Sequence, residues 1–207
     1  KRALLSRNGI SRSIVVADSR GRLVIAEPNS LLLCSGLPMA NVRHNAERVL
    51  TPFLRSSMCI LGSFSSAFNI VGMNLSRDNE SHLVAWGTTE AAVFVLNETK
   101  TAVQHSVTLD ISLPSHESSS HFVVKCEWIR GSQTGVVVAC NQILRIFDLK
   151  SSGTLSSEKA AITVSLGFQS NVKDFAVAEV GVEGEGQEHD NATRAWRVFI
   201  LLANGQL

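Results

Sequence analysis

The sequence lacks several features that would point to common classes of function. No apolar run reaches the length of about 18 residues that a transmembrane helix needs. Charge is balanced, with 19 Lys and Arg against 18 Asp and Glu and a formal net charge of +1. Nucleic acids and membrane surfaces are bound by concentrated basic faces, so we expect neither as a partner. The chain also contains no G-x-G-x-x-G sequence and no P-loop, and no nucleotide cofactor is predicted.

Cysteine is too scattered to build a metal site. The four cysteines form no C-x-x-C pair, and no histidine lies at zinc-finger spacing from any of them; they are Cys34, Cys59, Cys126 and Cys140. We expect them to be buried, reduced thiols of a cytosolic protein. The alternative left open is a disulfide in an exported protein.

Three polar clusters resemble catalytic or metal-binding sites, but we predict no such site at any of them. Ser118–Ser120 precede His121, but neighbouring residues of a strand point to opposite faces, so a surface loop is expected there. His44 and Glu47 lie one helical turn apart on what we interpret as a solvated helix face. The acidic segment Glu183–Asp190 does not have the spacing of an EF-hand loop. We therefore predict no catalytic, cofactor-binding or metal-binding residue in this chain.

Arginine is likewise dispersed along the chain. Nine of the arginines are spread over the whole length rather than concentrated in one stretch: Arg12, Arg20, Arg22, Arg55, Arg77, Arg130, Arg145, Arg194 and Arg197. This distribution favours solubilising positions at the edges of the fold over a phosphate-binding groove.

What the chain does contain is one sequence pattern, repeated four times. An apolar run ends in Ala or shortly after it, a tight polar turn follows, and a second apolar run begins. The copies start at Ile14–Ala17, Leu83–Trp86, Val136–Cys140 and Phe199–Ala203. Two apolar runs around a turn rich in Gly, Asn, Asp or Ser predict a β-hairpin. Repetition of one supersecondary unit predicts a repeat architecture.

Flanking strands extend each hairpin to a unit of about four strands, and in the second unit the strand before the hairpin is predicted at Phe68–Met73. The fold class predicted is all-β, with WD40-like β-propeller blades at about 10–60, 66–111, 121–167 and 171–207 within one domain spanning 1–207. The repeated alanines are 68, 54 and 64 residues apart (85−17, 139−85, 203−139), longer than the 40–45 residues of a WD repeat. Insertions at 28–60, 112–121 and 181–194 account for the excess and are the predicted contact surfaces. Ser30–Cys34 is predicted to be a short helix or an outer strand. Helical patterning is weak everywhere except near Asn41–Leu54.

Two observations lead us to expect a piece of a longer polypeptide. The chain begins without Met and ends in the turn of the fourth hairpin. A ring needs four to eight blades, and this chain supplies about two complete blades and parts of two more. We expect the propeller to be incomplete. We also expect the continuous numbering to join segments that disordered loops separate in the longer polypeptide.

The third unit has the sequence motif that is most specific to one protein family. It runs from His121 through Trp128, Ile129-Arg130-Gly131-Ser132-Gln133 and the apolar strand to Ile143–Leu149. This order resembles the β-propeller region of the giant UBR-box ubiquitin ligases, the family called BIG in plants and Pushover in flies. Arg130 stands where that family has Pro. We expect structural roles here: Gly131 and Ser132 form a turn, Trp128 seals the gap between blades, and Asp148 caps a turn.

The resemblance implies a non-catalytic interaction or architectural segment of a giant E3 ubiquitin ligase of the N-degron and protein quality-control pathway. It implies that the parent chain has zinc-supported catalytic modules elsewhere, and that its partners are a ubiquitin-conjugating enzyme, a partner ligase, calmodulin and N-degron substrates. A cytoplasmic location is implied, with the nucleus and homo-oligomerisation of the parent left open. No calmodulin-target helix is visible in this chain.

Two alternatives remain open at this point. The first is the propeller scaffold of an unrelated trafficking or complex-assembly protein, which the atypical blade lengths permit. The second is a propeller enzyme, such as a hydrolase with its site at the central channel.

Overall fold

The computed structural model describes residues 15–35, 59–112, 122–149, 157–167, 170–180 and 195–206. These residues form fifteen β-strands and no helix, which confirms the all-β prediction. The strands are β1 (Val15–Ala17), β2 (Leu23–Glu27), β3 (Ser30–Cys34), β4 (Ile60–Ser65), β5 (Gly72–Leu75), β6 (His82–Trp86), β7 (Ala91–Leu96), β8 (Val103–Asp110), β9 (Val123–Trp128), β10 (Gly135–Cys140), β11 (Ile143–Asp148), β12 (Ser157–Lys159), β13 (Ile162–Ser165), β14 (Val172–Val180) and β15 (Ala195–Leu202).

The strands form four sheets in chain order. The first sheet has the order β1-β2-β3-β4, the second β5-β6-β7-β8 with β12 added beside β8, and the third β9-β10-β11-β13. The fourth contains β14 and β15. Every pairing is antiparallel except that of β12 with β8, which is parallel. Each sheet is thus an up-and-down meander, the unit from which a propeller blade is built.

The repeated sequence pattern of two apolar runs around a polar turn forms hairpins in the structure. Strands β1 and β2 pair with Val16 opposite Val24, β6 and β7 with Val84 opposite Val93, and β10 and β11 with Val137 opposite Ile146. In the fourth copy β15 is followed by a turn, in which the backbone N–H of Leu202 donates to the carbonyl of Gln206.

Two strands differ from their predicted positions. Ser30–Cys34 is neither a helix nor an outer strand but forms β3, the third strand of its sheet, in which Leu31 and Leu33 are buried against the second sheet. The strand predicted at Phe68–Met73 begins only at Gly72. The backbone N–H of Ile70 donates to the carbonyl of Pro28 in the β2–β3 turn, so this segment bonds to the first sheet before it joins its own.

Strand β12 has no counterpart in the sequence prediction. Ser157 lies opposite Thr108 and Lys159 opposite Asp110, so the chain leaves the third sheet after β11, pairs with the outer strand of the second sheet, and returns as β13. A three-residue polar strand carries no periodicity from which it could be recognised.

The core consists of three apolar layers, each between two successive sheets. The first layer contains Leu31 and Leu33 of the first sheet against Leu83 and Phe94 of the second. The second layer joins the second and third sheets, and the third joins the third and fourth. The four sheets therefore stack face to face in chain order, as propeller blades do.

Strand β10 shows why the inner runs are apolar on both faces. Val136, Val138 and Cys140 lie in the second layer, and Val137 and Ala139 lie in the third. All six residues of β10 are buried. Since successive side chains of a strand point to opposite faces, a strand between two packed neighbours must be apolar throughout.

The first sheet extends to Ser65, beyond the predicted end of the first unit near residue 60, and the division of the chain into blade units stays a prediction. The prediction that 28–60 is a contact surface is wrong for residues 30–34, because they form β3. The Asn41–Leu54 segment, residues 113–121 and residues 181–194 lie outside the described residues. The assignment of all 207 residues to one domain stays a prediction.

Candidate functional site

The first strand of each sheet lies beside the first strand of the next. Strand β1 contacts β5, β5 contacts β9, and β9 contacts β14. In a propeller the strands that adjoin in this way are the innermost ones, around the central channel. At the opposite edges of the first three sheets lie β4, β8 with β12 added beside it, and β13.

A cleft of about 580 Å³ opens where the inner strands begin. Val71 precedes β5, Phe122 precedes β9, and Asn171 precedes β14, so one end of three sheets forms its rim. Trp86, at the end of β6, contributes to the wall. The cleft therefore lies at one mouth of the channel and is built by three successive sheets.

The walls of this cleft are apolar, with two polar groups. Val71, Trp86 and Val124 line it, and the exposed side chains of Asn171 and Lys173 provide an amide and a cation. An open apolar cleft with few polar groups suits an extended peptide better than a reaction, which needs convergent titratable groups.

Lys125 lies further along β9 and has a structural role. Its Nζ is 3.0 Å from Asp174 Oδ1 and donates to the carbonyl of Phe175 at 2.8 Å, which links the third sheet to the fourth. Burial by itself would lower the pKa of Lys125. The hydrogen bond to Asp174 and the attraction of Glu127 outweigh that effect and raise this pKa.

A buried ion pair joins the first sheet to the second. Asp18, in the β1–β2 turn, has a side chain that is 1% exposed and accepts a hydrogen bond from Lys100 Nζ at 2.7 Å. Arg22 Nε donates to the same carboxylate, also at 2.7 Å. Burial would raise the pKa of Asp18, but the hydrogen bonds from Lys100 and Arg22 lower it to about 2. Asp18 is therefore a fixed anion between two sheets rather than a proton carrier.

Trp128 joins the second and third sheets, as the sequence predicted. Its indole Nε1 donates to the carbonyl of Asn74 at 2.9 Å, and its ring packs edge-on against His82 at 6.1 Å between centroids. The backbone N–H of Gly131, which has φ 73°, donates to Asp78 across the same junction. Asp148 accepts a hydrogen bond from Thr134 Oγ1 at 2.8 Å and so ties the end of β11 to the turn before β10.

Arg145 corrects the prediction that the arginines lie at solvated edges. It is 4% exposed, and its guanidinium donates to the carbonyls of Ile111 and Ser112 at the end of β8. The side chain alternates into the packed face of β11, where these backbone carbonyls of the second sheet accept its hydrogen bonds.

The cysteines follow their prediction with one exception. All four are free, and Cys34, Cys126 and Cys140 are buried. Burial raises the pKa of Cys126 and raises that of Cys140 to about 11, so both are inert thiols at neutral pH. Cys59 is exposed, because it precedes β4 and lies outside the packed faces.

The polar clusters weighed in the sequence fall outside the described residues. They are Ser118–His121, His44 with Glu47, and Glu183–Asp190. Sequence analysis missed the cleft, because its wall residues come from three separate units. Within the described ranges, no group of three or more His, Cys, Asp or Glu side chains is placed to hold a metal ion. Across the same residues, no helix has the length and hydropathy to cross a membrane.

The chain has distant sequence similarity to a curated protein. The chain is 27% identical over 148 residues, or 72% of its length, to a protein of Dictyostelium discoideum described as a probable E3 ubiquitin-protein ligase. The chain spans 2% of that protein's length. No protein-family model matches the chain.

Solved structures show the fold. The β-propeller domain of Cps50 (Swd1) from Myceliophteria thermophila has a TM-score of 0.52 at 9% identity, over 89% of this chain and 57% of that one. Kluyveromyces lactis Hsv2p has a TM-score of 0.50 at 8% identity, over 91% and 59%. The Nup82 complex of Chaetomium thermophilum has 0.51 at 14%, over 75% and 30%. The chain is a β-propeller segment, and it is distantly similar to part of an E3 ubiquitin-protein ligase.

Proposed function

We propose that this chain is a non-catalytic protein-interaction and architectural segment of a giant E3 ubiquitin ligase. The observation that supports this most is the combination of a stacked propeller sector with a ligase relative of which it spans only 2%. A segment of that size is one module among many, and in a propeller that module is a rigid surface for other proteins.

The cleft at the channel mouth is the surface we assign to binding. Its rim is contributed by three successive sheets, and these are joined by Trp128, Lys125 and Arg145. A site built across junctions that are tied by hydrogen bonds stays in shape without its ligand, which lowers the entropic cost of binding.

The finer assignments rest on the resemblance to the UBR-box family. They are a role in the N-degron and quality-control pathway, zinc in modules of the parent chain outside this segment, and a cytoplasmic or nuclear location. On the same basis, the partners proposed for the parent are a ubiquitin-conjugating enzyme, a partner ligase, calmodulin and N-degron substrates.

The test uses the full-length parent chain with a charge placed in the cleft. Phe122→Glu puts a carboxylate on the apolar rim, and Arg20→Glu, in the exposed β1–β2 turn at the other end of the sheets, is the matched control. The purified chains are incubated with activating enzyme, conjugating enzyme, ubiquitin and ATP. Self-ubiquitination and ubiquitination of co-purifying proteins are then measured separately.

We expect both variants to keep self-ubiquitination, and we expect Phe122→Glu alone to lose modification of one or more co-purifying proteins. A wild-type chain without any ubiquitin transfer would contradict the ligase assignment. Equal modification of all proteins by both variants would contradict the role of the cleft.

A further inference from the structure

The outer edges of the second and third sheets differ in their strand pairing. Strand β8 at the edge of the second sheet has β12 beside it as a fifth strand. Strand β13 at the edge of the third sheet has one strand neighbour among the described residues, β11. The molecule thus shows one outer edge with an added strand and one that presents backbone groups outward.

Strand β13 presents both hydrogen-bonding groups and apolar side chains. Leu166 N–H donates to the carbonyl of Gln142, and the backbone bonds of an antiparallel pair alternate along the strand. Ile162 and Val164 therefore turn their backbone groups toward β11, while those of Thr163 and Ser165 point away from it. The side chains of Ile162 and Val164 are 54% and 42% exposed.

Within Ile162–Ser165 the edge lacks two of the devices that prevent strand addition, a charged side chain and a proline. Exposed edge strands in natural proteins are usually blocked by Lys, Pro, a bulge or a covering segment. Ile162–Ser165 contains no charged residue and no proline, and two of its four side chains are β-branched aliphatic ones. Such a strand has high β-propensity and an open ladder.

We propose that β13 is a docking edge for an extended segment of a partner protein, which adds to the third sheet as its fifth strand. The segment has apolar side chains at alternate positions, which cover Ile162 and Val164, and its backbone pairs with Thr163 and Ser165. Strand β12 is the precedent within the molecule, since an extended segment already adds to the equivalent edge of the second sheet.

The test removes one outward donor. Thr163→Pro deletes the N–H that faces the open edge and leaves the bonds to β11 in place, since proline is tolerated where the N–H points to solvent. Thr163→Ala, which keeps the N–H, is the matched control. The probe is a fluorescently labelled peptide, Lys-Val-Thr-Val-Thr-Val-Lys, titrated into the full-length chain and followed by anisotropy.

We expect wild type and Thr163→Ala to bind the peptide alike, and Thr163→Pro to bind at least about tenfold more weakly. Val164→Lys, an exposed position, provides a second variant with the same expected loss if the proline variant does not fold. Equal binding by Thr163→Ala, Thr163→Pro and Val164→Lys overturns the proposal. A wild-type dimer that Thr163→Pro converts to a monomer in analytical ultracentrifugation also overturns it, in favour of a second copy. No ubiquitin transfer enters these measurements, so their outcome is separate from that of the proposed ligase function.

Discussion

At the scale of single residues, polar side chains rather than apolar ones make the specific contacts between neighbouring sheets. Asp18 with Lys100 links the first two sheets, Trp128 with Asn74 the next two, and Lys125 the last two. Each contact crosses from one sheet to another. Buried polar groups that find their partner in only one arrangement favour that arrangement over other stackings of similar apolar faces.

Lys100→Met should destabilise the junction of the first and second sheets. Asp18 has a side chain that is 1% exposed, so removal of Lys100 leaves a buried carboxylate with Arg22 as its ion-pair partner and with the Glu80 carboxylate nearby. Breaking one side of a buried pair costs about 3 kcal/mol. The free energy of unfolding should fall by about that amount in guanidinium denaturation. Arg20→Met, in the exposed part of the same turn, should change it by less than about 0.5 kcal/mol.

The Asp18 contact should also make stability depend on acid. Its pKa is lowered to about 2 in the folded protein, from 3.8 for the free side chain. A carboxylate with a depressed pKa stabilises the fold above its unfolded pKa and loses that contribution as pH falls. The contribution, about 2 kcal/mol, should be complete above about pH 4 and disappear between about pH 4 and pH 2. Unfolding of Asp18→Asn should show a shallower slope in this window, and an unchanged slope would contradict the assignment.

At the scale of elements, close approach between sheets depends on small residues. Gly62 of β4 lies so near the β7–β8 turn that a Cβ would overlap the carbonyl oxygen of Thr101. The first and second sheets can therefore reach their observed spacing at this point only with glycine.

Gly62→Ala should force these two sheets apart. We expect a loss of about 2 kcal/mol in the free energy of unfolding, because backbone rather than a flexible side chain occupies the space. Hydrogen exchange should accelerate in β3 and β7 and stay unchanged in β10. Ser63→Ala, on the opposite face of the same strand, is the control, and equal effects of both substitutions would argue against the close contact.

At the scale of the whole molecule, the sheets are a series in which each packs on its neighbours in sequence. Connections between strands can then vary in length without disturbing the layers. The β14–β15 pair is an example, because Val180 lies directly opposite Ala195.

Deleting residues 181–190 should leave the fold intact. Four residues would remain between Val180 and Ala195, enough for a hairpin loop. We expect the melting temperature to change by less than about 2 °C. A cooperative loss of solubility on this deletion would show that the segment contributes to the packed structure.

Much of the fold could be predicted from the sequence, for a local reason. Paired apolar runs around short polar turns, such as those that form β6 with β7 and β10 with β11, indicate hairpins. The run in β10 that is apolar on both faces indicates a strand between two layers. The start of β5 could not be predicted, because Ile70 bonds to Pro28 of another sheet. The burial of Arg145 was missed because its acceptors, the carbonyls of Ile111 and Ser112, are distant in sequence.

The sequence by itself determined that the chain is all-β, that its unit is a repeated hairpin, and where Trp128 lies between units. These features depend on side-chain periodicity and turn chemistry, which are local. Only the tertiary structure decided that β12 crosses to the second sheet, that three sheets share one cleft, and that β13 has β11 as its single strand neighbour among the described residues. Those features depend on which sheet is adjacent to which, and adjacency is determined by packing between residues far apart in the chain.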